Sequence, residues 1–277
     1  MKPSLSQFSA LTRSALDFVL PPSCAFCRTP MVSAEGSRQP IWLCLQCREN
    51  MQKDQRDACR ACGMPVGPYA QTDDCLVCRP RRFRFKQVIR LGVYDAELKQ
   101  SVIRGKSRGS ETLAESLAAL LWHEQQDELQ AMCPKLVVPV PQHWMHWFSR
   151  PHHQARTVAR VLAECLGVPC EDRLVRKTRW TRDQSSLDRA RRVTNLDKAF
   201  SVADGVDLEG KKVLVVDDIF TTGTTVNEVT RALRAAQAGR VSVAVLAVAA
   251  PYKPSSIPQP TLPFGEQHGQ TDATLVP

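Results

Sequence analysis

The apolar positions of this chain change character near residue 87. Beyond that point, short and mostly apolar runs alternate with longer amphipathic ones. Val88–Tyr94, Leu136–Val140, Val213–Asp217 and Val241–Ala249 are the apolar runs, and each predicts a strand covered on both faces. Glu111–Met132 carries Leu113, Leu117, Leu120 and Leu121 on one helical face. His153–Leu166 repeats the pattern through Ala155, Val158, Ala159 and Leu162, and a further helix is expected from about Thr225 to Ala238. Strands of this kind alternating with helices predict an α/β fold: a parallel sheet with helices on both faces.

Upstream the pattern is different. Ser4–Leu20 predicts one short helix, with Phe8, Leu11, Ala15, Phe18 and Val19 at helical spacing and Pro21-Pro22 as its stop. Its polar face lacks a row of lysines, so it is expected to pack on its own protein rather than on a membrane surface. Residues 24–78 have few apolar runs and many cysteines, so they cannot build much core. Arg79–Lys86 is a basic connector in which aromatic and basic residues alternate. That composition suits a solvated strand edge or linker, and it also suits a single-strand binding surface. Residues 251–277 are rich in proline and polar residues without periodicity, the composition of a disordered tail. The expected organisation is a helix over 1–20, a cysteine module over 21–80, an α/β domain over 87–250 and a tail over 251–277.

The chain has 277 residues, 43% of them apolar, which is enough for one ordinary domain and a smaller module. The formal net charge of +9 favours anionic partners without choosing between nucleic acid and phosphorylated small molecules. No secretory signal is evident, and no run approaches the ~18–20 apolar residues of a membrane span. A cytoplasmic location follows as an expectation, and the cysteines fit it. There are 11 of them, an odd number that argues against a closed disulfide set. In a reducing compartment such residues bind metal more often than they form bridges.

Eight cysteines fall in four C-x-x-C pairs: Cys24/Cys27, Cys44/Cys47, Cys59/Cys62 and Cys75/Cys78. Two intervening residues let both sulfurs of a knuckle face one ion, and two knuckles close a tetrahedral S4 site suited to Zn2+. Two structural zinc ions are therefore expected, standing in for the missing core. Consecutive pairing, Cys24/Cys27 with Cys44/Cys47 and Cys59/Cys62 with Cys75/Cys78, is the expected arrangement; a cross-braced one uses the same residues. Redox chemistry fits poorly, because redox C-x-x-C motifs occur singly beside a βαβ unit. Cys133, Cys165 and Cys170 lack the spacing and are expected to be buried apolar side chains.

The most informative run is Val213-Leu-Val-Val-Asp-Asp-Ile-Phe-Thr-Thr-Gly-Thr-Thr225. An apolar strand carries Asp217 and Asp218 toward its C-terminal end, where open α/β sheets bind ligands. A Thr/Gly loop follows and opens a helix. Gly223 allows a tight turn, and successive N–H groups at a helix start attract phosphate. Thr221, Thr222, Thr224 and Thr225 add hydroxyl donors. The acidic pair suits sugar hydroxyls or a metal. A phosphorylated sugar satisfies both halves.

This run resembles the phosphoribosyl pyrophosphate (PRPP) motif of type I phosphoribosyltransferases along its whole length. The resemblance implies that Asp217 and Asp218 take the ribose and that Thr221, Thr222, Gly223, Thr224 and Thr225 hold the 5′-phosphate, with Mg2+ arriving with PRPP. Purine-salvage members often carry an acid where this chain has Thr222, which speaks against purine salvage. Across roughly residues 20–250 the order of features is similar to the ComF/GntX family of bacterial competence-type proteins. Those features are four cysteine pairs, Val137-Val-Pro-Val-Pro141, Arg150-Pro-His-His-Gln154, Gln184-x-x-Leu187-x-x-x-Arg191-x-x-x-Asn195 and the PRPP motif. In that family the third of these is a pyrophosphate loop, which assigns Arg150 and Gln154 to it. Pro151 stands where the family has glycine, and it removes a flexible position and an N–H. Lys106, in Gly-Lys-Ser-Arg-Gly, matches a family basic position, read either as a pyrophosphate contact or as a solvated lysine.

Two functions stand side by side. One is an enzyme, a phosphoribosyltransferase moving ribose 5-phosphate from PRPP to an acceptor. The other is a PRPP-binding protein that acts on single-stranded DNA or DNA-processing partners, using the basic segments. The segment Arg176–Arg192 with Trp180 serves either: a loop over PRPP, or arginines on backbone phosphates and an indole on a base. The resemblance implies a role in DNA uptake and natural transformation. Pro151 and the lack of an evident acceptor base favour the second function.

Overall fold

A computed structural model describes residues 21–31, 40–52, 57–66, 75, 78, 82–141, 153–178 and 199–250. The expected helix over Ser4–Leu20, the expected tail, Arg150, Trp180 and the Gln184–Asn195 motif lie outside these residues.

Among the described residues, six strands and five helices run in the order α1 (Leu45–Met51), β1 (Val88–Val93), α2 (Ala96–Arg104), α3 (Glu111–Ala131), β2 (Leu136–Pro139), α4 (Gln154–Leu166), β3 (Val175–Lys177), β4 (Phe200–Val202), β5 (Val213–Phe220), α5 (Thr224–Ala235) and β6 (Val241–Val248). Strands β1-β6-β5-β2 form one parallel sheet in that spatial order. Strands β3 and β4 form a separate antiparallel pair, with Val175 opposite Val202. Val213, Leu214, Val215 and Val216 are buried on both faces of the sheet, as are all eight residues of β6. That is why these runs are continuously apolar rather than alternating.

Each face of the sheet has its own core. One gathers Val88, Val138, Val213, Val215, Val243 and Val245 with Val226, Val229 and Leu233 of α5 and Phe200 of β4. The other gathers Ile89, Leu91, Val137, Leu214, Val216 and Leu246 with Leu98 of α2, Leu117 and Leu121 of α3, and Val158 and Leu162 of α4. The cysteine segments join these cores, one to each face. Cys24, Leu43, Cys47 and Met51 belong to the second core, and Cys59, Cys62, Met64, Val66, Cys75 and Cys78 to the first. The segment that was expected to lack a core therefore shares the sheet's.

Polar contacts fix the first cysteine segment. The Trp42 N–H donates to Ser116 Oγ at 3.0 Å, and the fully buried Ser116 hydroxyl donates to the Thr112 carbonyl. Asn50 Nδ2 donates to Glu97 Oε1, and Arg104 donates to the Phe26 carbonyl at 3.1 Å while lying 4.7 Å over the Phe26 ring. For the second segment, the Val88 N–H donates to the Arg60 carbonyl at 3.0 Å.

Several expectations change. Strand β5 runs three residues past Asp217, because Ile219 and Phe220 continue the pairing with Ala247 and Val248 and Phe220 is buried. Helix α5 ends at Ala235 rather than Ala238. Cys133 is exposed, and Cys165 and Cys170 are only half-buried. Cys133 sits at φ 47 in the turn after α3, which places its side chain outside the core. No helix among the described residues is long and apolar enough to cross a membrane.

Candidate functional site

The eight paired cysteines gather into two groups of four, Cys24, Cys27, Cys44, Cys47 and Cys59, Cys62, Cys75, Cys78, each with its sulfurs within 4.8 Å of one another. This is the consecutive arrangement. The two opening knuckles share one backbone design. Arg28 N–H donates to the Cys24 carbonyl and Gly63 N–H to the Cys59 carbonyl, at 2.9 and 2.7 Å, with Arg28 at φ 68 and Gly63 at φ 69. A short bridge closes each, Ser23 with Pro30 and Ala58 with Pro65.

The sulfurs fit a tetrahedral zinc ion. Cys27–Cys44, Cys59–Cys78 and Cys62–Cys75 are 3.6, 3.7 and 3.5 Å apart. A zinc–sulfur bond of about 2.3 Å implies a tetrahedron edge of about 3.8 Å. The electrostatics fit as well. Cys59 is drawn down to about 5, first by the Cys62 thiol, while Cys62 is pushed far up by Cys59 and by burial. In the other group Cys27 is drawn down to about 6, first by the Thr29 hydroxyl, while burial pushes Cys47 up. Four clustered thiols thus resist ionising together, and a dication removes that conflict. The groups differ in exposure: all four cysteines of the second are buried, whereas Cys27 of the first is exposed.

The second candidate centre lies at the C-terminal end of β5. Gly223, at φ 75, ends the loop and caps α5, and its carbonyl accepts from the Asn227 N–H at 2.9 Å. A side chain there would be strained, and its Cβ would also collide with the Phe220 and Phe83 rings. Thr221 is exposed, Thr222, Thr224 and Thr225 are half-buried, and the Thr222 and Thr224 hydroxyls are 2.8 Å apart. A loop of this shape at the start of a twelve-residue helix presents N–H and hydroxyl donors to an anion.

Asp217 and Asp218 adjoin this loop, both half-buried. Asp217 Oδ1 accepts from the Asp218 N–H at 2.9 Å, and Asp218 Oδ1 from the Ile219 N–H at 2.7 Å. Lys106 Nζ lies 2.5 Å from Asp218 Oδ2. Burial, and then the adjacent Asp218 charge, hold Asp217 well above the usual carboxylate range. For Asp218 burial is the largest influence and raises it, but the charge and hydrogen bond of Lys106 help to outweigh burial and the net shift is downward. The two neighbouring carboxyls are thus shifted in opposite directions.

Of the residues assigned to a pyrophosphate loop, Gln154 is fully buried at the start of α4, and neither its amide oxygen nor its amide nitrogen has a hydrogen-bond partner among the described residues. Preceding it, His153 Nε2 lies 3.1 Å from the Val140 carbonyl, which ties the start of α4 to the end of β2. Arg150 is outside the described residues.

The connector corrects an expectation. Phe85 is buried, and Phe83 stacks on it with centroids 4.7 Å apart. Both meet Phe220 edge-on at 6.0 Å. The Arg84 N–H donates to Asn227 Oδ1 at 2.8 Å. These rings pack against Phe220 beneath the Thr/Gly loop. Arg82 and Arg84 remain exposed. Phe83, Phe220 and Asn227 as supports, and the Lys106–Asp218 pair, are the site features that sequence reasoning missed. The alternation of Phe83 and Phe85 with arginines was the available signal.

Comparison with known proteins places these features. The family described as "Double zinc ribbon domain" matches residues 15–79, and "Phosphoribosyl transferase domain" matches residues 151–261. "Competence protein F" of Haemophilus influenzae is 27% identical over 215 residues, 76% of this chain and 90% of its own length. "DNA utilization protein YhgH" of Salmonella typhi is 26% identical over 232 residues, 81% of this chain and 96% of its own. "Competence protein ComFC" of Bacillus subtilis is 25% identical over 199 residues, 69% of this chain and 77% of its own. Among solved structures, a purine phosphoribosyltransferase from Pyrococcus horikoshii Ot3 aligns over 57% of this chain and 77% of its own at 18% identity, with a TM-score of 0.30.

Proposed function

Since this chain belongs to the ComF-type proteins, which join a double zinc ribbon to a phosphoribosyltransferase domain, we propose that it binds PRPP at the β5–α5 loop and works in the handling of incoming DNA. The observation that carries the PRPP half is the loop itself: an acidic pair, then a Thr/Gly turn with Gly223 at φ 75 opening α5. In this reading Thr221, Thr222, Gly223, Thr224 and Thr225 hold the 5′-phosphate, and Asp217 and Asp218 accept from the ribose hydroxyls. Arg150 and Gln154 belong to the pyrophosphate side, where Mg2+ accompanies the ligand and offsets its charge. The eight paired cysteines hold two structural zinc ions in a reducing cytoplasm. The unit boundaries proposed are 21–80 for the zinc module and 87–250 for the α/β domain.

The DNA half draws on the names of the relatives, competence and DNA utilization proteins, and on the net charge of +9. The proposed partners are single-stranded DNA or proteins that process it. Exposed Arg82 and Arg84 supply phosphate contacts without aromatic readout.

A transferase that passes ribose 5-phosphate to an acceptor uses the same loop, and release of pyrophosphate separates the two readings. Pro151 in the pyrophosphate segment favours binding without turnover. The test is anisotropy of a labelled single-stranded oligonucleotide across a salt series, with and without Mg-PRPP, with pyrophosphate measured in parallel. Salt-dependent DNA binding without pyrophosphate release is expected. No DNA binding at low salt would remove the DNA half, and steady pyrophosphate release would replace binding with catalysis.

A further inference from the structure

The carboxylate that the ribose reading needs as an acceptor is held by a cation of the same chain. Lys106 Nζ lies 2.5 Å from Asp218 Oδ2, and the two side chains are only 22% and 18% exposed. An ion pair this sheltered is not quickly exchanged for water, and parting it leaves two charges short of partners.

Lys106 sits in the turn between α2 and α3. It follows Gly105, the residue that ends α2. Helix α2 is itself anchored, through Arg104 on Phe26 and Glu97 on Asn50. The turn beyond it is held by a 3.3 Å bond from Lys106 N–H to the Ile103 carbonyl and a 3.0 Å bond from Ser107 N–H to the Arg104 carbonyl. Gly105 lies against the Gln154 side-chain amide so closely that a Cβ there would collide with it. That amide is fully buried, and neither of its polar atoms has a hydrogen-bond partner among the described residues. Gln154, itself assigned to the pyrophosphate segment, also begins α4.

We propose that Lys106 is a specificity-determining residue: it competes with sugar hydroxyls for Asp218, and only a ligand that carries a diphosphate draws its ammonium away. A ribose 5-phosphate without the diphosphate must break the pair and offers Lys106 nothing in return. PRPP breaks the same pair and supplies a new anion. The site thereby rejects ribose 5-phosphate and nucleoside monophosphates, which share the phosphate and hydroxyls of PRPP. This inference rests on the PRPP reading of the loop.

The test is calorimetry on the full, zinc-loaded chain with Mg-PRPP and, separately, with ribose 5-phosphate, for the wild type, Lys106→Met and Lys106→Arg. Lys106→Met is expected to bind PRPP about tenfold more weakly and ribose 5-phosphate about threefold more tightly, since it loses one charge-assisted contact and one competitor. Lys106→Arg should keep the wild-type preference. Should the Met variant fail to fold, Lys106→Gln reads the same ratio. Equal weakening of both ligands, or no change in either, would overturn the specificity role while leaving the PRPP site standing. A wild type that binds neither ligand would overturn the PRPP reading and this inference with it.

Discussion

Phe83 meets Phe220 edge-on, with ring centroids 6.0 Å apart and planes at 74°. Phe83 arrives from the zinc-ribbon connector, and Phe220 ends the strand that carries the acidic pair. A ring of the connector thus packs beneath the Thr/Gly loop, beside the Arg84–Asn227 hydrogen bond. On the other side of the sheet, the first cysteine segment holds α2, and the turn after α2 carries Lys106 to Asp218. The connector and the first cysteine segment therefore each reach one half of the candidate site.

Phe83→Ala should lower stability by about 2 kcal/mol, less than a fully buried phenylalanine because Phe83 is half-buried. PRPP affinity should fall with it, as the loop loses its support. Thermal unfolding with and without ligand reads both effects. Loss of stability with unchanged affinity would show that the ring supports the fold alone.

Gly223→Ala combines two penalties. The left-handed backbone costs about 1–2 kcal/mol for a residue with a Cβ. Collision with Phe220 and Phe83 adds about 1–3 kcal/mol. The variant should fold with a reduced Tm and lose phosphate binding, which calorimetry with PRPP would register. Wild-type affinity would exclude the loop as the phosphate site.

The two cysteine groups should differ. Cys62→Ser removes a buried ligand within the sheet's core, and Cys27→Ser an exposed one. Each should reduce zinc content from about two ions to about one, measured by atomic absorption. Cys62→Ser should destabilise more, because its metal stands inside a shared core. A graded chelator titration should strip the site with exposed Cys27 first. Equal release from both sites would contradict the difference in burial.

The acidic pair predicts opposite responses to neutralisation. Asp217 is raised, so the folded chain binds a proton there more tightly than the unfolded chain does. Its stabilising effect is complete below the ordinary carboxylate range and is lost as pH rises through the folded value. Asp218 is lowered, so its stabilising effect is present above the ordinary range and is lost as pH falls through the folded value. At pH 7, Asp217→Asn should raise Tm by about 2 °C and Asp218→Asn should lower it by a similar amount, since it strands Lys106. Scanning calorimetry at pH 7 and pH 5 checks the signs. Equal shifts for both would contradict the opposite displacement of the two carboxyls.

The sheet was legible because its strands are buried on both faces and so read as apolar runs. The loop was legible because a Gly at the start of a helix after two acids has few structural uses. Helix α2 was not, since it has only nine residues and one of its three buried positions, Leu98, Ser101 and Val102, is polar, which leaves a weak apolar period. The β3–β4 pair was not either, because three residues per strand carry no period. The Lys106–Asp218 pair joins residues distant in sequence, and nothing local to either announces it. The connector misled for a physical reason: alternating aromatic and basic residues describe a strand-like segment with one face in a core as well as they describe a base-stacking surface.

The most direct test is calorimetric titration of Mg-PRPP into the folded, zinc-loaded protein, with the Asp217→Asn/Asp218→Asn double variant as control. Saturable one-site binding by the wild type that the double variant loses is the predicted result. Absence of binding by the wild type, or equal binding by both, would contradict the assignment of the β5–α5 loop as a PRPP site.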